Sequence, residues 1–428
     1  MIAMKRPIAL AGVAALALGG MVACSPSSPG DGESSDEPAT SRTLEILTWT
    51  YDGASLPWWE EVNAKFEDAN PGVTVEVEQS DFGAIISDFV TQATAGQTAA
   101  VIHIPSPVTS VPAWAEAGFL VPLSDWLDES GVGAELDDVQ SAMDVHGDTY
   151  GLVFAFNAAM YFYNEGWLAD AGLEVPTTPD EMVAVAHKLT EADLYGFGVT
   201  DDESVNFATE ILSFIIGMDA AYVEDGDWNF SDPAVVEAVD VWRTLATEYA
   251  PRGTTLQNKR TAFDTGNIAA MFDWAFYHAA SLRSASPDVV DEIRMAVPPL
   301  ATTPLFISQG FGISSAVDEE TQELGKEWLE FAMAEEAQSL YAELEPVVPT
   351  NLAAQRVLAD DPATAPILEA IENGELIIDS EHMGLRSNFS EFREILNGTF
   401  RSLLQNDADT AEAMVALDEQ LRAAGLTP

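Results

Sequence analysis

The sequence predicts an α/β fold in two lobes, and three observations carry that reading. From residue 44 onward short apolar strands alternate with amphipathic helices, the pattern of a parallel sheet with right-handed crossovers. A second strand-and-helix stretch begins near residue 178. Between them lies an aromatic run, Asp148 to Gly172, whose apolar side chains have to be buried. Asn157 interrupts that run and must find a partner if it is buried with its neighbours. Two readings stand at this point: a core strand with a satisfied Asn, or a crossover between lobes with the Asn facing a cleft.

The N-terminus lies outside that fold. Lys5 and Arg6 precede an Ala/Leu/Val/Gly run from Ile8 to Ala23, too short for a spanning helix of about 20 residues and suited to a secretory signal over residues 1–23. It ends Met21-Val22-Ala23-Cys24, which resembles the lipobox of bacterial lipoproteins, with Met21 where Leu is more usual. The resemblance makes Cys24 the lipidated first residue. Residues 24–42 are mostly Ser, Pro, Gly, Asp and Glu without apolar periodicity and read as a disordered tether, reaching roughly 25 Å. Cys24 is the only cysteine, so no intramolecular disulfide is available.

The charge balance is 17 Lys+Arg against 71 Asp+Glu. A surface of that sign repels phosphate backbones and argues against nucleic acid as a partner. His103, His146, His187, His278 and His382 are too scattered for metal-ligand spacing, so neither metal nor cofactor is expected.

Leu44 to Trp49 reads as the first strand and turns out through Tyr51-Asp52-Gly53. Trp59, Val62, Phe66 and Ala69 recur at helical spacing until Asn70-Pro71-Gly72 stops them. Val73, Val75 and Val77 alternate with polar residues in a second strand; a helix from Gly83 to Ala95 leads to a third, Ala100 to Ile104. In such sheets ligands sit beyond the carboxyl ends of the strands. Trp49, Tyr51, Asp52, Asp81, His103 and Ser106 therefore belong to one rim.

Past the aromatic run, Thr178-Pro179-Asp180-Glu181 is a capping box that opens a helix. Tyr195 to Thr200 reads as a strand, and helices follow over 204–216 and 232–249. Phe263 to Tyr277 reads as a buried strand ending in exposed aromatics and an acid, a candidate ligand wall. Arg294 to Pro298 and Leu305 to Ser314 are further strands, the latter broken at Gln309-Gly310. Asp318 caps a helix with Leu324, Trp328, Leu329 and Phe331 on its apolar face, and helices over 361–372, 389–404 and 410–423 close the chain.

Taken in order, the chain resembles the family 1 extracellular solute-binding proteins of sugar importers, the group of the maltodextrin-binding proteins. The residues that carry the likeness are Phe66-Glu-Asp-Ala-Asn-Pro-Gly-Val-Thr-Val, Trp114-Ala-Glu-Ala-Gly-Phe-Leu, Tyr150-Gly151 with Asn157 and Tyr163-Asn164, and Ala171-Gly172-Leu173 with Pro176-Thr177-Thr178. Phe263-Asp-Thr-Gly266 with Ala270-Met271 and Val347-Val348-Pro349-Thr350 complete the set. The resemblance implies a type II periplasmic-binding-protein-like fold, two lobes joined by three crossings that close like a hinge over a ligand. The crossings fall near Val153–Asn157, Met295–Pro298 and Phe331–Glu335, which puts residues 43–152 and 296–331 in one lobe and 157–292 and 335–428 in the other.

By position, the resemblance makes Asp52 the acid that bonds sugar hydroxyls and Tyr277 an aromatic that stacks on a sugar ring. It puts Phe207 and Phe389 among the aromatics of the second lobe, and Asn157 at the cleft. Pyranose faces pack on aromatic rings while acids and amides take the hydroxyls. Trp274 and Gln309 stand where smaller residues are usual, so they fill the pocket and favour a short saccharide.

The function implied is capture of a neutral mono- to oligosaccharide and its delivery to an ABC permease by a monomeric lipoprotein held outside the cytoplasm, with no catalysis. The sequence has no Gly-x-Ser-x-Gly, His-Glu-x-x-His or phosphate loop, and Gly310-Phe-Gly312 lacks the third glycine of a dinucleotide turn. A secreted glycoside hydrolase would need two carboxylates about 5 to 9 Å apart across a sugar; a scaffold lipoprotein would show no ligand-induced closure. The rival ligand is a phosphorylated polyol or other anion, which would want convergent arginines, and Arg252, Arg260, Arg283 and Arg386 are available.

Overall fold

Thirteen consecutive buried residues, Leu152–Asn164, form one strand around which the other elements are arranged. The computed structural model describes residues 42–428 except 52, 192–193, 203, 346, 360, 379–381 and 407. The signal sequence, Cys24, the tether and Asp52 lie outside the described residues. The opening runs β1 (Arg42–Thr48), β2 (Val73–Gln79) and β3 (Val101–Pro105), with β2 and β3 parallel to β1 on either side, as the alternating pattern predicts. A small hairpin, β4 (Asp144–Val145) and β5 (Asp148–Thr149), turns through His146 and Gly147 into the long strand, β6. A second hairpin, β7 (Val223–Glu224) and β8 (Asp227–Trp228), precedes β9 (Ala270–Trp274) and β10 (Ile293–Ala296). The last strands are β11 (Thr303–Ile313), β12 (Val348–Pro349) and β13 (Gly374–Leu376).

The main sheet runs β10-β6-β11-β3-β1-β2, with β12 and β9 also on β6 and β13 on β11. β11 lies antiparallel to both β3 and β6, so these two long strands carry the sheet from one strand-and-helix half to the other. The register shows where that happens. Residues 152–158 of β6 pair with β11, residues 159–163 with β9 and residues 161–164 with β10.

One core lies on the face of β1 and β3 that the helices Leu56–Ala69 and Glu319–Met333 cover. Trp58, Trp59, Val62 and Phe66 fill it from the first helix and Leu324, Trp328 and Leu329 from the second. The indoles are fixed by their polar ends as well as by packing: Trp58 Nε1 donates to Ala337 O at 2.9 Å and Trp328 Nε1 to Asn63 Oδ1 at 3.0 Å.

Capping follows the sequence closely. Thr178 accepts from Glu181 N, Asp232 from Ala234 N, Asp318 from Thr321 N and Asp409 from Glu412 N. The helix expected over 232–249 ends as an α-helix at Thr244 and continues as a π-turn, Leu245–Tyr249.

At the crossing expected near Met295–Pro298, β10 pairs with Tyr161–Asn164 as far as Ala296, and the chain then runs back along β6 as β11. Two expectations change. The division near Phe331–Glu335 does not fall at a change of core, since the helix Glu335–Leu344 puts Ala337 and Tyr341 beside Trp58 and Trp328. The strand expected over 195–200 is reduced to two isolated parallel bridges, Tyr195 to Ile268 and Gly198 to Met271. There the segment presses on the helix before it; a Cβ on Gly196 would lie 1.9 Å from Ala186 O, so close backbone contact replaces a wider ladder.

Arg386 ties the C-terminal part of the chain to the helix Pro107–Glu116 and the turn ending at Asp144. Its side chain is buried, with Nε donating to Val108 O (3.0 Å), Nη2 to Ala142 O (2.6 Å) and Nη1 to Asp144 O (3.1 Å). Arg386→Met should lower stability to urea by about 3 kcal/mol or more, because each buried carbonyl left without a donor costs roughly 1–3 kcal/mol. Arg386→Lys should not restore it, since a point-like ammonium cannot replace a planar fork bonding in three directions. A loss under about 1 kcal/mol in either variant would count against the clasp.

Candidate ligand-binding site

The first wall is built where β1, β3 and β11 come together. Thr48, at the end of β1, accepts from Thr50 N at 3.1 Å and lies 2.9 Å from His103 Nδ1. The other ring nitrogen, Nε2, lies 3.1 Å from Gln309 Oε1, which also accepts from Tyr341 OH at 2.8 Å. An amide oxygen only accepts, so Nε2 carries the proton and the Thr48 hydroxyl donates to Nδ1. Burial holds His103 neutral by pushing its pKa down to about 3, against the smaller upward pull of the Gln309 bond.

This fixed ring is sandwiched between two aromatics, one at the surface and one in the core. Trp49 stacks on His103 at 4.1 Å and 20°, and Phe311 stacks on it at 4.5 Å and 21°. Trp49 is half-buried, and Phe82 meets it edge-on at 6.0 Å with 65% of its own surface exposed. Tyr51, also half-buried, packs edge-on against Trp59, and Asp81 is exposed beside Phe82. Ser106 is half-buried at a φ of 48°, a left-handed conformation that starts the helix Pro107–Glu116, and its N–H donates to Ser308 O at 3.2 Å.

The second wall rises from the same long strand. Asn157 of β6 lies opposite Phe306 of β11, and Ala159 opposite Trp274 of β9. Directly opposed antiparallel residues share a face, so these four side chains belong to one side of the sheet. Trp274 and Phe306, both half-buried, meet at 5.3 Å. Along β6, from the residue opposite Gln309 (Ala155) to the one opposite Trp274 (Ala159) is four residues, roughly 13 Å at the usual strand rise. The bulge at Ser308, between the Ile307 and Gln309 pairings, lets Gln309 turn toward His103. Asn157 is buried: Nδ2 donates to Ser308 Oγ at 3.0 Å, and no donor reaches Oδ1.

Three expected site residues sit elsewhere or differently. Phe207 is fully buried in the helix Val205–Gly217 against Trp242, a core side chain. Tyr277 is buried too: its OH donates to Asp264 Oδ1 at 2.7 Å, and Arg260 lies over its ring at 4.5 Å, which leaves no free face for a sugar. The segment read as one strand from Phe263 is helix, turn, β9 and helix, and of its aromatic residues only Trp274 and Phe276 keep partial exposure. Phe389 is half-buried at the start of the helix Phe389–Gln405, packed on Phe392.

Sequence reasoning missed Phe82, Phe306 and Tyr341. Phe82 follows Asp81 at the end of β2, where the strand-end rule applies equally; Phe306 and Tyr341 carry no local signal.

Of the four arginines considered for an anion, Arg252, Arg260 and Arg386 are engaged, while Arg283 is exposed near the end of the helix Tyr277–Ser284. Arg260 holds Asp273 through two bonds of 2.9 and 2.6 Å, Arg252 bonds Asp201 and Leu404 O, and Arg386 is the clasp described above. Among the described residues no group of three or more His, Cys, Asp or Glu is placed to hold a metal, and no helix is long and apolar enough to cross a membrane.

His103 gives a pH signature. Its folded pKa of about 3 lies below the ordinary 6.5, so between those values the unfolded chain binds the proton and the folded chain does not. Stability should therefore fall as pH drops from 6.5 toward 4, by up to about 1.4 kcal/mol per pH unit from this residue. Urea titrations of the wild type and His103→Gln over that range should diverge, the wild type being the more acid-sensitive. Parallel losses would refute the buried neutral ring.

The model for the bacterial extracellular solute-binding proteins matches residues 61–370. The diacetylchitobiose binding protein DasA of Streptomyces coelicolor is 26% identical over 392 residues, covering 87% of this chain and 88% of its own. The maltodextrin-binding protein MdxE of Bacillus subtilis is 24% identical over 381 residues, covering 83% of each. Among solved structures, maltose-bound MalE3 of T. maritima superposes with a TM-score of 0.74 at 18% identity, over 89% of this chain and 99% of that one. UgpB of Mycobacterium tuberculosis, in complex with glycerophosphocholine, gives 0.74 at 17% identity, over 88% and 97%. These neighbours share the type II periplasmic-binding-protein fold that the sequence led us to expect, and the family and its relatives bind substrates without transforming them. The chain belongs to the bacterial extracellular solute-binding protein family.

Proposed function

We propose that this protein is the substrate-binding lipoprotein of an ABC importer, capturing a neutral carbohydrate between two lobes and delivering it to a membrane permease. The observation that carries the reading is a pair of aromatic walls: Trp49 with Phe82, resting on the His103 ring that bonds Gln309 of β11, and Trp274 with Phe306, which lie opposite Ala159 and Asn157 of β6. Two such faces suit the apolar faces of sugar rings, and Tyr51 and Asp81 supply acceptors for hydroxyls beside the first of them, the role that the resemblance also gives Asp52. Cys24 serves as the lipid anchor in this reading, and the family's place of work is outside the cytoplasm.

A neutral ligand is favoured over a phosphorylated polyol because Arg252, Arg260 and Arg386 are already bonded within the fold. An anion site at Arg252, Arg260 or Arg386 would have to break one of those arrangements, which leaves Arg283 as the exposed candidate among the four.

A thermal-shift screen of the purified protein against mono-, di- and oligosaccharides, polyols and glycerol phosphodiesters tests the proposal. A saccharide present at a hundredfold excess over its dissociation constant should add about 2.7 kcal/mol and move Tm by a few degrees. Trp49→Ala and Trp274→Ala should each weaken that saccharide roughly tenfold or more, as expected for losing about 100 Å² of apolar contact. Silence across sugars with a shift from a glycerol phosphodiester would overturn the neutral-sugar reading.

A further inference from the structure

Beside Trp274 a pocket opens that the two aromatic walls do not explain. Ala159 of β6, Asn206, Glu210 and Ser213 of the helix Val205–Gly217, and Lys259 of the helix Leu256–Asp264 line it together with Trp274. Glu210 and Lys259 form an ion pair of 2.8 Å with 9% and 3% of their side chains exposed. A pair this deep is no better for stability than well-packed apolar residues of the same volume, so its presence in a pocket wall asks for a use.

The bonds of the pair leave each partner spare capacity. Lys259 Nζ has three N–H groups and donates to Glu210 Oε2 and Phe272 O, at 2.8 and 2.9 Å. Glu210 receives Thr200 N at 3.0 and 3.1 Å through its two oxygens, and a carboxylate has roughly four acceptor positions. The other lining carboxylate, Asp273, is matched by Arg260. Every charge in the wall thus has its opposite, which suits an uncharged occupant. Ala159, Leu256, Phe272 and the Trp274 ring add an apolar side. One donor, one acceptor and an apolar patch together describe the three faces of an acetamido group: its carbonyl, its N–H and its methyl.

We propose that this pocket is a subsite for the N-acetyl group of an amino sugar whose ring packs on Trp274, with Lys259 donating to the acetamido carbonyl and Glu210 accepting from its N–H. The inference rests on the sugar-binding reading and narrows it to N-acetylated saccharides.

Calorimetric titration of the purified full chain with N,N′-diacetylchitobiose and with cellobiose, which shares the β-1,4 linkage and lacks the acetamido groups, decides it. Diacetylchitobiose should bind at least roughly tenfold tighter, because a site built around hydrogen-bonding groups rejects a ligand that leaves them unpaired. Ala159→Val, which narrows the pocket without touching the ion pair, should weaken diacetylchitobiose roughly tenfold. The double variant E210M/K259M removes both charges with volume retained, and should bring the ratio between the two sugars to about one while circular dichroism reports an intact fold. Equal binding of the two sugars by the wild type, or a preference unchanged in Ala159→Val, overturns the subsite. Binding of maltose with neither β-linked sugar bound would sink the subsite and leave the sugar-binding reading standing; absence of binding to any saccharide would remove both.

Discussion

The constraint on which the rest depends is the burial of β6. Its backbone groups cannot turn to water over 13 residues, so neighbouring chains must supply their partners. They do so in relays: β11 and β12 around residues 155–156, and β9 and β10 around residues 161–163. Between these two doubly paired regions, residues 157–159 are where β6 hands over from β11 to β9. The handover occurs at Asn157-Ala158-Ala159, the least bulky part of an otherwise aromatic strand, and Ala158 O takes a bond from Ala275 N just beyond the end of β9. Small residues at a change of pairing leave room on the shared face, and Phe306 and Trp274 are set by their register directly opposite it.

The walls are rigid for different reasons. Trp49 rests on an imidazole whose two nitrogens are both bonded, so the platform is held by a chain of neutral hydrogen bonds from Thr48 to Tyr341. Gln309 closes that chain, and the backbone beside it has no slack: a Cβ on Gly310 would lie 2.6 Å from Leu152 O. Trp274 is instead set by charge, because its N–H donates to Asp273 Oδ1 at 2.8 Å while Arg260 holds both oxygens of the same carboxylate. One wall is therefore sensitive to a lost hydroxyl or amide, the other to a lost charge.

How much of this could be read from the chain follows the range of the interactions. The strands of the opening and the helix starts at Thr178, Asp232, Asp318 and Asp409 depend on neighbours within four residues, and they appear as the pattern says. The strand-end rule placed Trp49, Tyr51, Asp81 and Ser106 past the ends of the opening strands for the same reason, but His103 lies within β3, fully buried beneath Trp49, where the rule had put it at the rim. Whether an aromatic faces solvent is settled at longer range. Tyr277 is drawn inward by Asp264, and Phe207 is covered by Trp242, a residue from another helix; neither partner can be assigned from spacing. The Lys259–Glu210 pair, 49 residues apart, and the Arg386 clasp, whose acceptors lie more than 240 residues away, have no signature short of the fold itself.

The same bonds change what the composition means. With 17 cations against 71 acids, a basic residue committed to the interior is one withdrawn from the surface. Arg386, Lys259 and Arg260 are all withdrawn in this way, two of them to neutralise carboxylates in the pocket wall beside Trp274. The exterior is thereby left more acidic than the sequence average, while that wall is balanced charge for charge. A neutral ligand crosses such a field without gain or loss, whereas an anion is repelled over the Debye length before it meets any of these arginines. In the proposed reading, the acidity that composition alone could not connect to a ligand disfavours anionic solutes relative to neutral ones.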